Sequence, residues 1–229
     1  MSLVNPYDQC GILHNELLDY LIAQNSSPTF DQLAEYVADF ASTEFDDSTP
    51  IFKREIKMMV GTAYNYSQFD ATPVGYNLND LMLNNSYYNG NQLRYLMKIL
   101  QPTTNPPTVA YWQTIESDVL GSSLTEIEKA PILATLSVAI HSLEYWTAAN
   151  TDPMNPWYPS HGGSIQVQDT SKADYTVFGI GAAYVAFGWL AVALSGDRWT
   201  QENTHKILMT LLISALLGGA ASAAATYWP

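Results

Sequence analysis

The chain has 229 residues and 25.3 kDa, enough for a hydrophobic core that needs no disulfide staples, and one compact domain is the expected organisation. Its 22 acidic residues against 9 Lys and Arg give a formal charge of −13, and no cationic cluster exists to meet a phosphate backbone, so nucleic acid is excluded as a partner. A single cysteine, Cys10, excludes an intramolecular disulfide and any cysteine-based zinc site and reads as a small core residue.

Hydrophobic periodicity is helical nearly throughout, and element boundaries are marked by caps and prolines. Asn5 is expected to cap a first helix with Pro6 at its opening position, which aligns Cys10, Leu13, Leu17, Leu18 and Leu21 on one face. A second helix follows Thr29, whose capping box is completed by Gln32, and reaches about Phe40. Thr49-Pro50 opens a third through Tyr66, shorter pieces are expected near Leu78–Leu83 and Gln92–Leu100, and Asn105-Pro106 starts another through Leu120. Thr125 with Glu128 caps a long helix to Ala149, and Pro131 is expected to kink it or delay its start.

Residues 151–172 read as a loop punctuated by Pro153, Pro156, Pro159 and Gly162-Gly163. It carries Trp157, Tyr158 and His161, which make it either a crossover pinned by aromatic side chains or a binding loop. Residues 173–229 hold only five charged residues: Asp174, Asp197, Arg198, Glu202 and Lys206. The stretches 175–196 and 207–229 lack charge and are joined by a polar turn, which predicts an apolar helical hairpin. Each arm is long enough to span a bilayer at about 1.5 Å per residue. The amphipathic helices of residues 6–150 need an apolar surface to cover, however, and a buried hairpin supplies it. The expected architecture is therefore all-α: a single bundle of seven or eight helices with the C-terminal hairpin at its centre. Glycines in the arms, Gly179, Gly181, Gly188, Gly218 and Gly219, suit close backbone approach.

Two constellations could carry polar chemistry. Gly11, His14, Asn15 and Leu18 share one side of the first helix, and His14 needs a partner there; Asp174, nearly the only charge at the start of the tail, is the natural candidate. A catalytic reading makes His14 a general base with Asn15 and Asp174 as companions, whereas a structural reading makes the pair a pin between helices. Ser137, His141 and Glu144 occupy one side of the long helix at i, i+4 and i+7. They superficially contain a nucleophile, a base and an orienting acid, but triads draw their groups from separate elements, and a polar helix face is the simpler reading. His141 and Glu144 with His14 could serve as metal ligands, but no second spaced His/Glu motif supports a closed site, so no metal is expected. No glycine-rich phosphate loop follows a strand and no G-x-S-x-G occurs, so no cofactor is expected either.

The opening Asn5-Pro6-Tyr7-Asp8-Gln9-Cys10-Gly11-Ile12-Leu13-His14-Asn15, the helix from Glu128-Lys129 through Ser142, Tyr145 and Trp146, and Lys172-Ala173-Asp174 before a Gly/Ala-rich tail resemble a group of uncharacterised Bacteroidetes proteins with an N-P-x-D-x-x-G-x-x-H-N start. That resemblance implies that Asn5, Asp8, Gly11, His14, Asn15 and Asp174 form one polar cluster, and it implies an exported or cell-envelope location. It implies no activity. No charged segment followed by an apolar one opens the chain, so no signal peptide is read there and localisation stays open.

The leading expectation is a soluble helical binding or structural module, exported if the resemblance holds, with a small molecule or a protein as partner and an undetermined oligomeric state. The first alternative is a colicin-like pore-former, in which the membrane is reached only through the hairpin of residues 173–229. The second is a hydrolase or metal-dependent enzyme centred on His14 and Asp174.

Overall fold

A computed structural model describes residues 4–24, 28–68, 89–100 and 107–158, together with seven positions of the tail between 212 and 223. Six helices have described bounds, and no strand occurs among the described residues: α1 Gln9–Gln24, α2 Phe30–Glu44, α3 Pro50–Gln68, α4 Gly90–Leu100, α5 Val109–Leu120 and α6 Glu126–Thr151. The expected piece near Leu78–Leu83 and the first arm of the hairpin lie outside the described residues.

Local capping chemistry builds most of these boundaries. Thr29 Oγ1 accepts from the Gln32 amide while Gln32 Oε1 accepts from the Thr29 amide, so both halves of the expected capping box exist. Thr125 and Glu128 repeat the device at the start of α6. Between α2 and α3 the chain turns through a Schellman motif: the Asp47 amide donates to Ser42 O and the Asp46 amide to Thr43 O, with Asp46 in the left-handed region at φ 50°. Asp47 Oδ1 then accepts from the Thr49 amide, and Thr49 Oγ1 accepts from the Phe52 amide to start α3. Lys53 with Asp39 and Lys57 with Glu35 tie the two helices together at their exposed edge.

Two expectations from sequence are corrected, and a third is narrowed. Helix α1 begins at Gln9 rather than at Pro6, because a turn over residues 6–8, closed by the Asp8 amide on Asn5 O, intervenes. Helix α5 begins at Val109, capped by the Thr108 hydroxyl on the Tyr111 amide, rather than after Asn105. Pro131 lies inside α6 without delaying its start; the amide it lacks leaves one carbonyl of the first turns without its usual helical donor, and the Thr125 cap still sets the boundary.

Helix α6 is the axis of the bundle. It contacts α1, α4 and α5, while α1 in turn contacts α2, which packs on α3. A helix surrounded in this way must be apolar on most sides, and residues from Lys129 to Ile140 are buried apart from Pro131. One cluster gathers Leu17, Leu18, Leu21, Leu33, Val37, Ile56 and Trp146, and a second gathers Leu96, Ile99, Trp112, Ile132, Leu133 and Leu136.

The described tail positions, Leu212, Ile213, Ala215, Leu216, Gly219, Ala220 and Ala223, are helical. Ala215, Leu216, Ala220 and Ala223 are at most 1% exposed. Leu216, Ala220 and Ala223 join the cluster of α1 and α2, whereas Ala215 joins Cys10, Ala130, Ala134 and Val138. These described positions of the tail thus pack into the core beside α1 and α6. Among the described residues no helix is long and apolar enough to cross a membrane.

Candidate functional site

The polar residues of the N-terminal motif converge on α6. The amide of Gly11 donates to Ser137 Oγ at 2.9 Å, and Ser137 Oγ donates to the carbonyl of Asp8 at 2.9 Å. One turn further along α6, His141 Nε2 meets Asp8 Oδ1 at 2.9 Å, and Asn15 Nδ2 donates to the carbonyl of His141 at 3.2 Å. Asn5 completes the seam: its Nδ2 lies 2.7 Å from Glu116 Oε1 and 3.0 Å from Leu133 O, while its Oδ1 accepts from the Tyr7 amide. Asp8, Gly11 and Asn15 follow a helical i, i+3, i+7 pattern, and Ser137 and His141 follow i, i+4, so the two rows interdigitate where the helices cross.

Gly11 is what allows this contact. A Cβ at that position would stand 2.4 Å from His141 Cδ2 and 2.6 Å from Ser137 O. The opposite side of α1 makes a second close approach, since a Cβ on Gly219 would come within 3.2 Å of Leu17 Cδ2 and 3.3 Å of His14 O. Helix α1 therefore approaches α6 closely through its own Gly11 and the tail closely through the tail's Gly219.

His14 is completely buried, and its Nδ1 meets Asn15 Oδ1 at 2.9 Å. A carboxamide oxygen can only accept, so the proton of this bond resides on Nδ1. The expected partner Asp174 lies outside the described residues. The apparent triad on α6 is not assembled: Ser137 is wholly buried and spends its proton on a backbone carbonyl, His141 turns to Asp8, and Glu144 is exposed. Only Glu144 conforms to a solvated helix face. Ser137 and His141 instead form half of the seam, a pairing that the matched spacing of the two rows could have signalled.

Cys10 packs beside the seam, where burial first and the Asp8 carboxylate second push its thiol up to about 12. A thiol with that value is a poor nucleophile at neutral pH. Tyr7 is raised as well, mainly by burial and then by Glu126.

In the 151–172 segment, residues up to Tyr158 are described. Trp157 is 4% exposed; its ring meets Trp146 edge-on at 5.4 Å, and its Nε1 donates to Tyr145 Oη at 3.0 Å. The Tyr145 hydroxyl donates to Asp19 Oδ1 at 2.8 Å, so the crossover is linked through α6 to α1. Tyr158 stays partly exposed at 37%, and His161 lies outside the described residues. Among the described residues, no three His, Cys, Asp or Glu side chains stand close enough together to hold a metal ion.

The chain matches no family model, no curated protein and no solved structure.

Proposed function

We propose that this chain is a soluble helical module with a structural or binding role, in which α1 is locked between α6 and the C-terminal tail. The observation that carries the reading is the burial of the tail's second arm: Ala215, Leu216, Ala220 and Ala223 lie inside the clusters formed by α1, α2 and α6. The polar groups of the motif support it too, because the Gly11 amide, the Ser137 hydroxyl and the Asn15 amide are consumed by helix-to-helix bonds rather than aimed at a cleft. A hydrolytic site built on His14 would first have to open the core around an imidazole that has no exposed surface. The partner is a small molecule or a protein, and the resemblance of the N-terminal motif favours an exported setting.

Cys10 offers a direct test, since it packs against Ala215 and becomes reachable when the tail leaves. The chain is mixed with anionic vesicles at neutral and mildly acidic pH, and thiol labelling is followed together with dye release and near-UV circular dichroism. The expected result is no labelling, no release and an unchanged tertiary signal. Rapid labelling accompanied by acid-dependent leakage would overturn the core reading in favour of a pore-former.

A further inference from the structure

Asn89-Gly90 is the only Asn-Gly pair in the chain. Where such a pair is free it is chemically labile. With no side chain on glycine to obstruct it, the glycine nitrogen attacks the asparagine Cγ, a five-membered succinimide closes, and ammonia leaves. Water then opens the ring to aspartate or isoaspartate. The step requires the carboxamide to swing over the following backbone nitrogen.

In the structure that carboxamide is tied down. Asn89 is the residue before α4, and its Oδ1 accepts from the amides of Asn91 and Gln92 at 3.0 Å each. Its own amide donates to Gln92 Oε1 at 3.0 Å, which makes a capping box with asparagine in the leading position. Its Nδ2 donates to Glu128 Oε1 at 2.5 Å, and Gln92 Nε2 donates to the Glu128 carbonyl at 3.1 Å. The other carboxylate oxygen of Glu128 accepts from the Thr125 amide and hydroxyl at 2.8 and 2.9 Å. Two capping boxes, one starting α4 and one starting α6, thus interlock at a single carboxylate.

We propose that Asn89-Gly90 is a self-modification site gated by this double cap. Deamidation proceeds from molecules in which the start of α4 has opened, and its product cannot re-engage. In the reaction the Cγ–Nδ2 bond of Asn89 breaks as the bond from Gly90 N to Cγ forms. The Gly90 amide proton departs with the ammonia, and one water is consumed when the ring opens. Afterwards a carboxylate stands where an amide donor met Glu128, and two carboxylates at hydrogen-bonding distance repel. Isoaspartate adds a backbone methylene that also breaks the turn. The site therefore records each opening of the start of α4 and converts a reversible movement into a permanent loss of the cap that ties this end of α4 to α6.

The intact chain and a synthetic peptide of the Tyr88–Tyr95 sequence are incubated at mildly alkaline pH, and conversion at position 89 is followed by peptide mapping. The peptide should convert several-fold faster than the chain, and Glu128→Ala should move the chain's rate towards that of the peptide. Gln92→Ala, which leaves the Thr125 and Glu128 box intact, should do the same if the first variant folds poorly. Gly90→Ala should suppress conversion without lowering the melting midpoint, because a Cβ there meets nothing within 4 Å. The deamidated chain, separated by charge, should melt below the untreated chain and exchange its α4 amide hydrogens faster. Equal rates in the peptide, the chain and both variants would overturn the gating, and an unchanged midpoint in the modified chain would overturn the loss of the cap.

Discussion

Gly11 and Ser137 touch twice where α1 meets α6: the Gly11 amide donates to the Ser137 hydroxyl at 2.9 Å, and a Cβ on Gly11 would strike the Ser137 carbonyl at 2.6 Å. The imidazole of His141 can swing aside for an added methyl, but the carbonyl of a central helix cannot. Gly11→Ala gains about 1 kcal/mol of helix propensity and is opposed by overpacking of about 1–3 kcal/mol. Because backbone has to shift, the overpacking term should win, and the urea midpoint should fall. A variant more stable than the parent would show that the helices separate freely at this point.

The outer rim of the same seam should contribute far less. Asp8 and His141 have side chains that are 51% and 24% exposed, so water competes with and screens their bond. A double-mutant cycle with Asp8→Asn and His141→Gln, read from denaturation midpoints, should return a coupling below about 1 kcal/mol. Ser137→Ala, by contrast, removes a buried hydroxyl that accepts from the Gly11 amide and donates to the Asp8 carbonyl; the Gly11 amide keeps its bond to the Asp8 carbonyl at 3.1 Å, and the loss of the two hydroxyl bonds should cost about 1–2 kcal/mol. A coupling at the rim that exceeds the cost of Ser137→Ala would reverse this ranking.

Asp46 is the one described non-glycine residue with positive φ, and it stands at the left-handed position of a Schellman turn. It also adds a negative charge just past the negative end of α2, in a stretch that includes Glu44 and Asp47. Asp46→Gly should therefore raise stability by about 0.5–1 kcal/mol. Asp46→Asn should capture part of the gain by removing the charge alone. Thermal melts of the two variants give the check, and a loss in both would contradict the assignment of strain to this turn.

Glu128 links stability to pH. Its carboxyl is held below the ordinary value of 4.5, first by the Thr125 amide and then by the Thr125 hydroxyl; desolvation opposes them, and the Asn89 side chain adds the smallest lowering. A carboxyl depressed in the folded state contributes stability that is present above the unfolded value and is lost as pH falls through the folded one. The advantage of the parent chain over Glu128→Gln should thus be constant near neutrality and shrink below about pH 4.5. Denaturation midpoints measured from neutral to acidic pH test it; a difference that widens on acidification would remove Glu128 as the linked group.

Local chemistry was legible from sequence wherever it closes within a few residues. Thr29 with Gln32 and Thr125 with Glu128 each satisfy orphan amides inside one turn, so the starts of α2 and α6 follow from residue type and spacing alone. The same reasoning failed at Asn5-Pro6 and Asn105-Pro106. Asn5 Oδ1 does accept from the Tyr7 amide as a cap would, but it heads only the turn over residues 6–8, and its Nδ2 donates to Glu116 and Leu133, which are more than a hundred positions away.

What the sequence determined by itself was the all-helical class, the caps, and the need of an apolar tail for cover, because periodicity and charge are properties of neighbouring residues. Only the tertiary structure decided that the Asp8, Gly11 and Asn15 row and the Ser137 and His141 row form one seam. Read along the chain they were two unrelated candidates for chemistry. Their pairing depends on the register of two helices separated by more than a hundred residues, and that register is fixed by how closely Gly11 lets α1 approach α6 and by the tail packed on α1's other side.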